Sequence, residues 1–200
     1  MKLTFQEIFP PPHDDFLRAL NKRDVLVYSC GSLWTSIIPC LALRMLATHI
    51  ASSKSLKAKV LLRKFFGLLY ELTVVNSRND RETSDYVALD YIDTIANMLR
   101  HYDIPPQMQD NPDDVILWET RSFITHVAYL EGGSVQVDER AIRVSLHPYW
   151  VTFADDRKDR GLVPIMIPVS VHNTPAGTTP MFSTDTVEWT MDRVVEDLRL

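Results

Sequence analysis

Asp24-Val25-Leu26-Val27-Tyr28-Ser29-Cys30-Gly31-Ser32-Leu33-Trp34-Thr35-Ser36-Ile37-Ile38-Pro39 decides how the rest of the chain is read. Asp24 to Ser29 is a short apolar run bounded by polar residues, the pattern of a buried strand. Cys30-Gly31-Ser32 breaks it, because glycine admits backbone conformations that a strand does not use. A helix is expected from about Thr35 to Ile50: Thr35 or Ser36 can cap it, and Pro39 falls in the first turn, where a missing N–H costs nothing. Apolar residues on most sides of this helix place it between other elements.

Working outward, Lys59–Leu62 and Leu72–Val75 read as strands, with Lys64 to Glu71 between them hard to assign. A polar loop from Asn76 to Thr83 precedes a second helix, in which Ala88, Tyr91, Ile92, Ile95, Leu99 and Tyr102 recur at helical spacing and Pro105-Pro106 follow. Phe123–Leu130 is a further strand, closed by Gly132-Gly133. Ala141–Val144 and Leu162–Val171 are expected as strands. A closing helix from about Thr184 carries Val187, Met191, Val194, Val195 and Leu198 on one face. Strand and helix in alternation predict an α/β fold, a mostly parallel sheet with helices packed on its faces. Ligands of such sheets gather at the carboxyl ends of the strands. Cys30–Ser36 and Asn76–Thr83 both sit at such ends.

Composition bounds the function. The 200 residues are one domain's worth, with 46% apolar and 24% charged residues and a net charge of −5. That balance supplies no broad basic field, so neither a nucleic acid nor an anionic membrane is expected as partner. Cys30 and Cys40 form no C-x-x-C pair, and no histidine pair has zinc-ligand spacing. The start, Met1 to Glu7, lacks the apolar run of a signal peptide. The most apolar stretch, Ile37–Leu46, is interrupted by Pro39 and Arg44. A reducing, cytoplasmic setting follows as the expectation, and a homo-oligomer is left open.

The first loop joins a strand end to a helix start, where unpaired N–H groups and the positive end of the helix dipole meet an anion. Gly31 allows close approach, and Ser32, Thr35 and Ser36 add hydroxyl donors, a chemistry that suits phosphate. The spacing and lysine of a Walker A loop are absent. A capped helix without a ligand explains the same residues. In the second loop, Arg78 and Arg81 can neutralise phosphate, Asp80 or Glu82 can hold Mg²⁺, and Glu82 can instead take a proton from an attacking hydroxyl. A solvated turn at a helix start is the plain alternative. His126, inside an apolar strand, reads as a hydrogen-bonded core histidine. Glu131-Gly132-Gly133 is a strand-end turn that can also face the cleft.

Taken together, Val27 to Pro39 resembles the G-S-L-[YW]-T-S-x-x-P segment of the 2-phospho-L-lactate transferase/gluconeogenesis-factor family. Asn76 through Glu82-Thr83, followed by Ala88-Leu89-Asp90, resembles that family's second block. Thr125 to Gly132 is similar to a later strand of its eukaryotic, fungal-type branch. The resemblance covers roughly residues 5 to 135, within a nucleotide/phosphate-binding domain drawn at 1–145; residues 146–200 form a tail ending in an amphipathic helix.

The resemblance implies a Rossmann-like three-layer fold, incomplete at its N-terminus because nothing before Asp24 supplies the family's Gly-rich strand–turn–helix. The chain then corresponds to the C-terminal portion of a longer protein, with Arg63–Val75 as an added apolar run. It also implies a transferase that moves a phosphate-linked group from a nucleotide-diphosphate donor to a hydroxyl acceptor such as a deazaflavin, with Mg²⁺. A non-catalytic UDP-sugar-binding regulator and an inactive fragment are the alternatives. By position, Gly31, Ser32, Thr35 and Ser36 would hold donor phosphates. Asn76, Glu82 and Thr83 would line the neighbouring wall, near the acceptor or a metal; the charges of the loop itself add Arg78 as a phosphate contact and Glu82 and Asp80 as the expected catalytic carboxylates.

Overall fold

The computed structural model describes residues 8–28, 31–62, 81–103, 118–133, 135–144, 161–173, 175 and 180–199. Four strands, β1 (Val25–Tyr28), β2 (Ala58–Leu62), β3 (His126–Leu130) and β4 (Val163–Ile167), form an all-parallel sheet in the order β1-β2-β3-β4. Register pairs Val27 with Val60, Val60 with His126, and His126 with Val163. β2 and β3 are buried along their whole length, as parallel strands covered on both faces must be. This is a Rossmann-like α/β fold, and β4 of the tail belongs to the same sheet.

Seven helices are described: α1 (Asp14–Leu20), α2 (Ile38–Leu41), α3 (Leu46–Ser52), α4 (Ala88–Tyr102), α5 (Glu139–Val144), α6 (Val169–His172) and α7 (Thr184–Arg199). The strands alternate inward residues between two clusters. Tyr28, Leu61 and Val127 meet α2 to α5 on one face, with Leu46, Ile92, Ile95 and Leu99 at its centre. Ala58, Val60, Ala128, Leu130 and Ile167 meet Val194 of α7 on the other. The described helices between successive strands, α2 to α5, all lie on the first face, as right-handed crossovers laid down in one direction require.

Three local expectations are corrected. The helix expected over 35–50 is broken. A π-helical turn (Leu33–Ile37) runs into α2, and α3 follows after a 78° bend. Tertiary capture of the backbone breaks it: Arg44 N–H donates to the Pro10 carbonyl (2.9 Å), Met45 N–H donates to the Tyr102 carbonyl (3.1 Å), and Met45 adopts φ 63°. Buried Asp103 then caps α3, accepting from Thr48 N–H (3.0 Å), the Thr48 hydroxyl (2.9 Å) and Trp118 Nε1 (3.0 Å).

Ala141–Val144, expected as a strand, is the body of α5. Asp138 starts it by accepting from Ala141 N–H through Oδ1 (2.9 Å). The buried stripe of α7 is Thr186, Thr190 and Val194, whereas Val195 and Leu198 are both 39% exposed. No single helix among the described residues is long and apolar enough to cross a membrane. The π-turn–α2 and α3 segments pass only as a bent pair, and both pack in the first core.

Candidate phosphate-binding edge of the sheet

Parallel order sends all four strands out at one edge, and the first structure met there is the turn after β1. A Cβ on Gly31 would lie 2.5 Å from Ser36 Cβ, so only glycine lets the chain fold back this tightly. The Ser32 carbonyl accepts from both Ser36 N–H (2.9 Å) and Ile37 N–H (3.1 Å), which widens the first turn into π geometry. Ser32 ends the extended backbone without capping the turn through its side chain. The N–H groups of Leu33, Trp34 and Thr35 find no acceptor among the described residues. Buried Leu33 anchors the turn while Thr35 and Ser36 stay exposed. Gly31, Ser32, Thr35 and Ser36 are thus brought together, with hydroxyls and free N–H groups on one short arc. Thr35 and Ser36 lie inside the turn rather than at its cap.

Of the second loop, Glu82 and Thr83 are described, on a 3₁₀ turn (Arg81–Thr83). Asn76, Arg78 and Asp80 lie outside the described residues, as do Cys30 and the expected strand 72–75. α4 fixes this turn. Tyr91 Oη donates to Thr83 Oγ1 (2.7 Å), Tyr86 N–H donates to the Thr83 carbonyl (3.1 Å), and the Tyr86 and Tyr91 rings meet edge to face at 5.2 Å. Thr83 is buried by these contacts, and Glu82 is exposed. The start of α4 is held at the carboxyl side of the sheet, where Ala88 N–H donates to the Gln136 carbonyl (3.1 Å) beyond β3, and Asp90 accepts from Val87 N–H (2.7 Å). No hydrogen bond among the described residues joins Glu82 to the Gly31–Ser36 turn.

At the ends of β3 and β4 the edge carries further polar groups, Glu131 among them, joined by Tyr129, Glu139 and His172, which no sequence motif marks. Tyr129 Oη donates to the Glu139 carboxylate, and burial together with that carboxylate pushes the phenol above its ordinary range. Glu131 Oε2 accepts from Val169 N–H (3.0 Å), and the Glu131 carbonyl lies 3.1 Å from His172 Nε2. Gly132 makes this turn at φ 76°, where a side chain would be strained. The Glu131-Gly132-Gly133 run signals the turn; nothing local signals Tyr129, whose partner is set by where α5 docks.

The opposite, amino edge holds the buried histidine. His126 Nδ1 lies 2.8 Å from Thr125 Oγ1, and Nε2 lies 3.3 Å from Asp197 Oδ2 of α7. Burial holds the His126 pKa below its ordinary value, and Asp197 partly opposes that. It is the hydrogen-bonded core histidine its sequence context suggests. Among the described residues no group of three or more His, Cys, Asp or Glu is arranged to hold a metal. Mg²⁺ needs only one or two protein carboxylates when phosphate oxygens complete its shell, and exposed Glu82 fits that smaller demand.

No protein-family profile matches the chain. It is similar to the uncharacterized protein YNL011C of Saccharomyces cerevisiae, with 28% identity over 173 residues. The match takes in 84% of this chain and 35% of the yeast protein, so the chain spans about a third of that relative's length.

Proposed function

We propose that this chain carries the phosphate-binding part of a 2-phospho-L-lactate transferase-like protein, which takes a nucleotide-diphosphate-linked donor in the cytoplasm. The supporting observation is the turn after β1. Three backbone N–H groups without acceptors among the described residues and the exposed Thr35 and Ser36 lie on one arc, at the strand edge where parallel sheets bind ligands.

In the proposed reaction the acceptor hydroxyl attacks phosphorus. A new P–O bond forms, the diphosphate P–O bond breaks, and a nucleoside monophosphate leaves with the negative charge. Glu82, exposed on its turn, accepts the hydroxyl proton, and Thr83 with Tyr91 holds that turn in place. Gly31, Ser32, Thr35 and Ser36 orient the donor phosphates, so most of the rate gain is positioning and charge stabilisation. With Glu82 acting as the base, Mg²⁺ bound to the donor's own phosphates would supply further neutralisation.

Thermal stabilisation of the full chain tests the reading, since a ligand that binds only the folded state raises the Tm. Guanosine diphosphate with Mg²⁺ is expected to raise it, and Ser36→Ala to weaken that binding by roughly five- to tenfold, the value of one lost hydrogen bond of about 1 kcal/mol or slightly more. A rise with UDP-sugars alone identifies a regulator instead of a transferase. No rise with either nucleotide, with or without Mg²⁺, overturns the proposal.

A further inference from the structure

The second face of the sheet depends on α7, whose grip is unusual. Its buried stripe consists of Thr186, Thr190 and Val194. The two threonine hydroxyls are satisfied locally, donating to the Ser183 carbonyl (2.9 Å) and the Thr186 carbonyl (2.7 Å), so they make no polar tie to the strands. Among the described residues, one hydrogen bond crosses from α7 to the sheet: Asp197, in the last turn, against His126 at the amino end of β3. We propose that His126 and Asp197 form an acid-sensitive latch, which holds the C-terminal half of α7 on the sheet at neutral pH and releases it on acidification.

The proton positions follow from the two partners of the ring, Thr125 and Asp197. The Thr125 hydroxyl accepts Lys59 N–H (2.8 Å) and lies within hydrogen-bond reach of both His126 Nδ1 (2.8 Å) and the Lys59 carbonyl (3.2 Å), while the Asp197 carboxylate facing Nε2 (3.3 Å) can only accept. The neutral ring therefore carries its N–H on Nε2 and donates it to Asp197. While α7 is docked, the ring is only 2% exposed, and burial disfavours the added charge. Asp197 is the one charged group facing the ring among the described residues. The flanking register positions are Val60 of β2 and Val163 of β4, while Arg193 of α7 pairs with Glu196 and lies over Trp189.

Once α7 lifts, the ring meets water and takes up a proton at the ordinary histidine value of about 6.5. The undocked state thus binds more protons below that pH. Docking is fully favourable above it and weakens as pH falls, by at most about tenfold per pH unit for one proton. Release uncovers the apolar face that Val60, Ala128 and Ile167 share with Val194.

Hydrogen exchange of the full chain between pH 7.5 and 5.0, corrected for the intrinsic pH dependence of exchange, tests the latch. In the wild type, protection of residues 187–199 is expected to fall further than that of α4, by no more than about tenfold per pH unit below 6.5. His126→Gln keeps a neutral side chain at every pH and is expected to abolish the excess loss. Asp197→Asn removes the charge that supports the protonated ring and is expected to enlarge the loss over the same range, which keeps the test decisive if His126→Gln does not fold. Parallel loss in α7 and α4 overturns the proposal, as does an Asp197→Asn profile matching the wild type.

Discussion

On one face of the sheet α4 buries Ile92, Ile95, Ala96 and Leu99 completely, whereas on the other α7 buries Thr186, Thr190 and Val194. The first face is built by every described helix that lies between two strands, so chain connectivity obliges it to be thick. The second is covered late, by a helix after the last strand that is free to dock or not. Burial per helix follows from that difference. α4 is part of the core, while α7 is a cover held by Val194 with partly buried Val187, Trp189 and Met191 and, among the described residues, one hydrogen bond to the sheet at its far end.

Substitutions can break or sharpen this contrast. Ile95→Ala, in the centre of the first face, is expected to cost about 3 kcal/mol in urea unfolding, through lost burial plus a cavity that the packed surroundings close only partly. Asp103→Ala removes the acceptor of three donors at the junction of α3 and α4, and should cost about 2–3 kcal/mol by the same measurement. Val194→Ala on the second face should cost about 2 kcal/mol. A loss equal to that of Ile95→Ala would show that the two faces are alike after all.

The smallest effect is a gain. Lys59 is 7% exposed on the Leu61 side of β2, and burial lowers its pKa from the ordinary 10.5. The unfolded chain holds that proton more tightly, so the wild type loses stability as pH falls below about 10.5. Lys59→Met should remove this dependence and stabilise the protein at neutral pH by about 1 kcal/mol, measured as free energies of urea unfolding across pH 7 to 10.

The first face was readable because its signal is local. Ala88, Ile92, Ile95 and Leu99 repeat at helical spacing, β1 is an unbroken apolar run, and β2 and β3 are apolar apart from Lys59 and His126. α7 misleads the same reading. A threonine whose hydroxyl bonds its own helix presents a methyl group to the core, so Thr186 and Thr190 bury while Val195 and Leu198 stay out. α5 had a legible start in Asp138, masked by the β-branched residues after it. At the strand edge, the glycine and hydroxyls of Gly31–Ser36 could be picked out from their types and spacing. The pairing of Tyr129 with Glu139 could not, because the partner's position depends on how α5 returns to β4.

What the sequence determined by itself is the alternation of strand and helix, the parallel sheet that follows from it, and a glycine-hinged, hydroxyl-rich turn at the exit of β1. These rest on backbone preferences and periodicities only a few residues long. Tertiary structure alone decided that the helix after β1 breaks at Met45, that α7 rotates its threonines inward, and that His126 meets a carboxylate 71 residues away. Each of those outcomes sets a local preference against surroundings that only folding assembles.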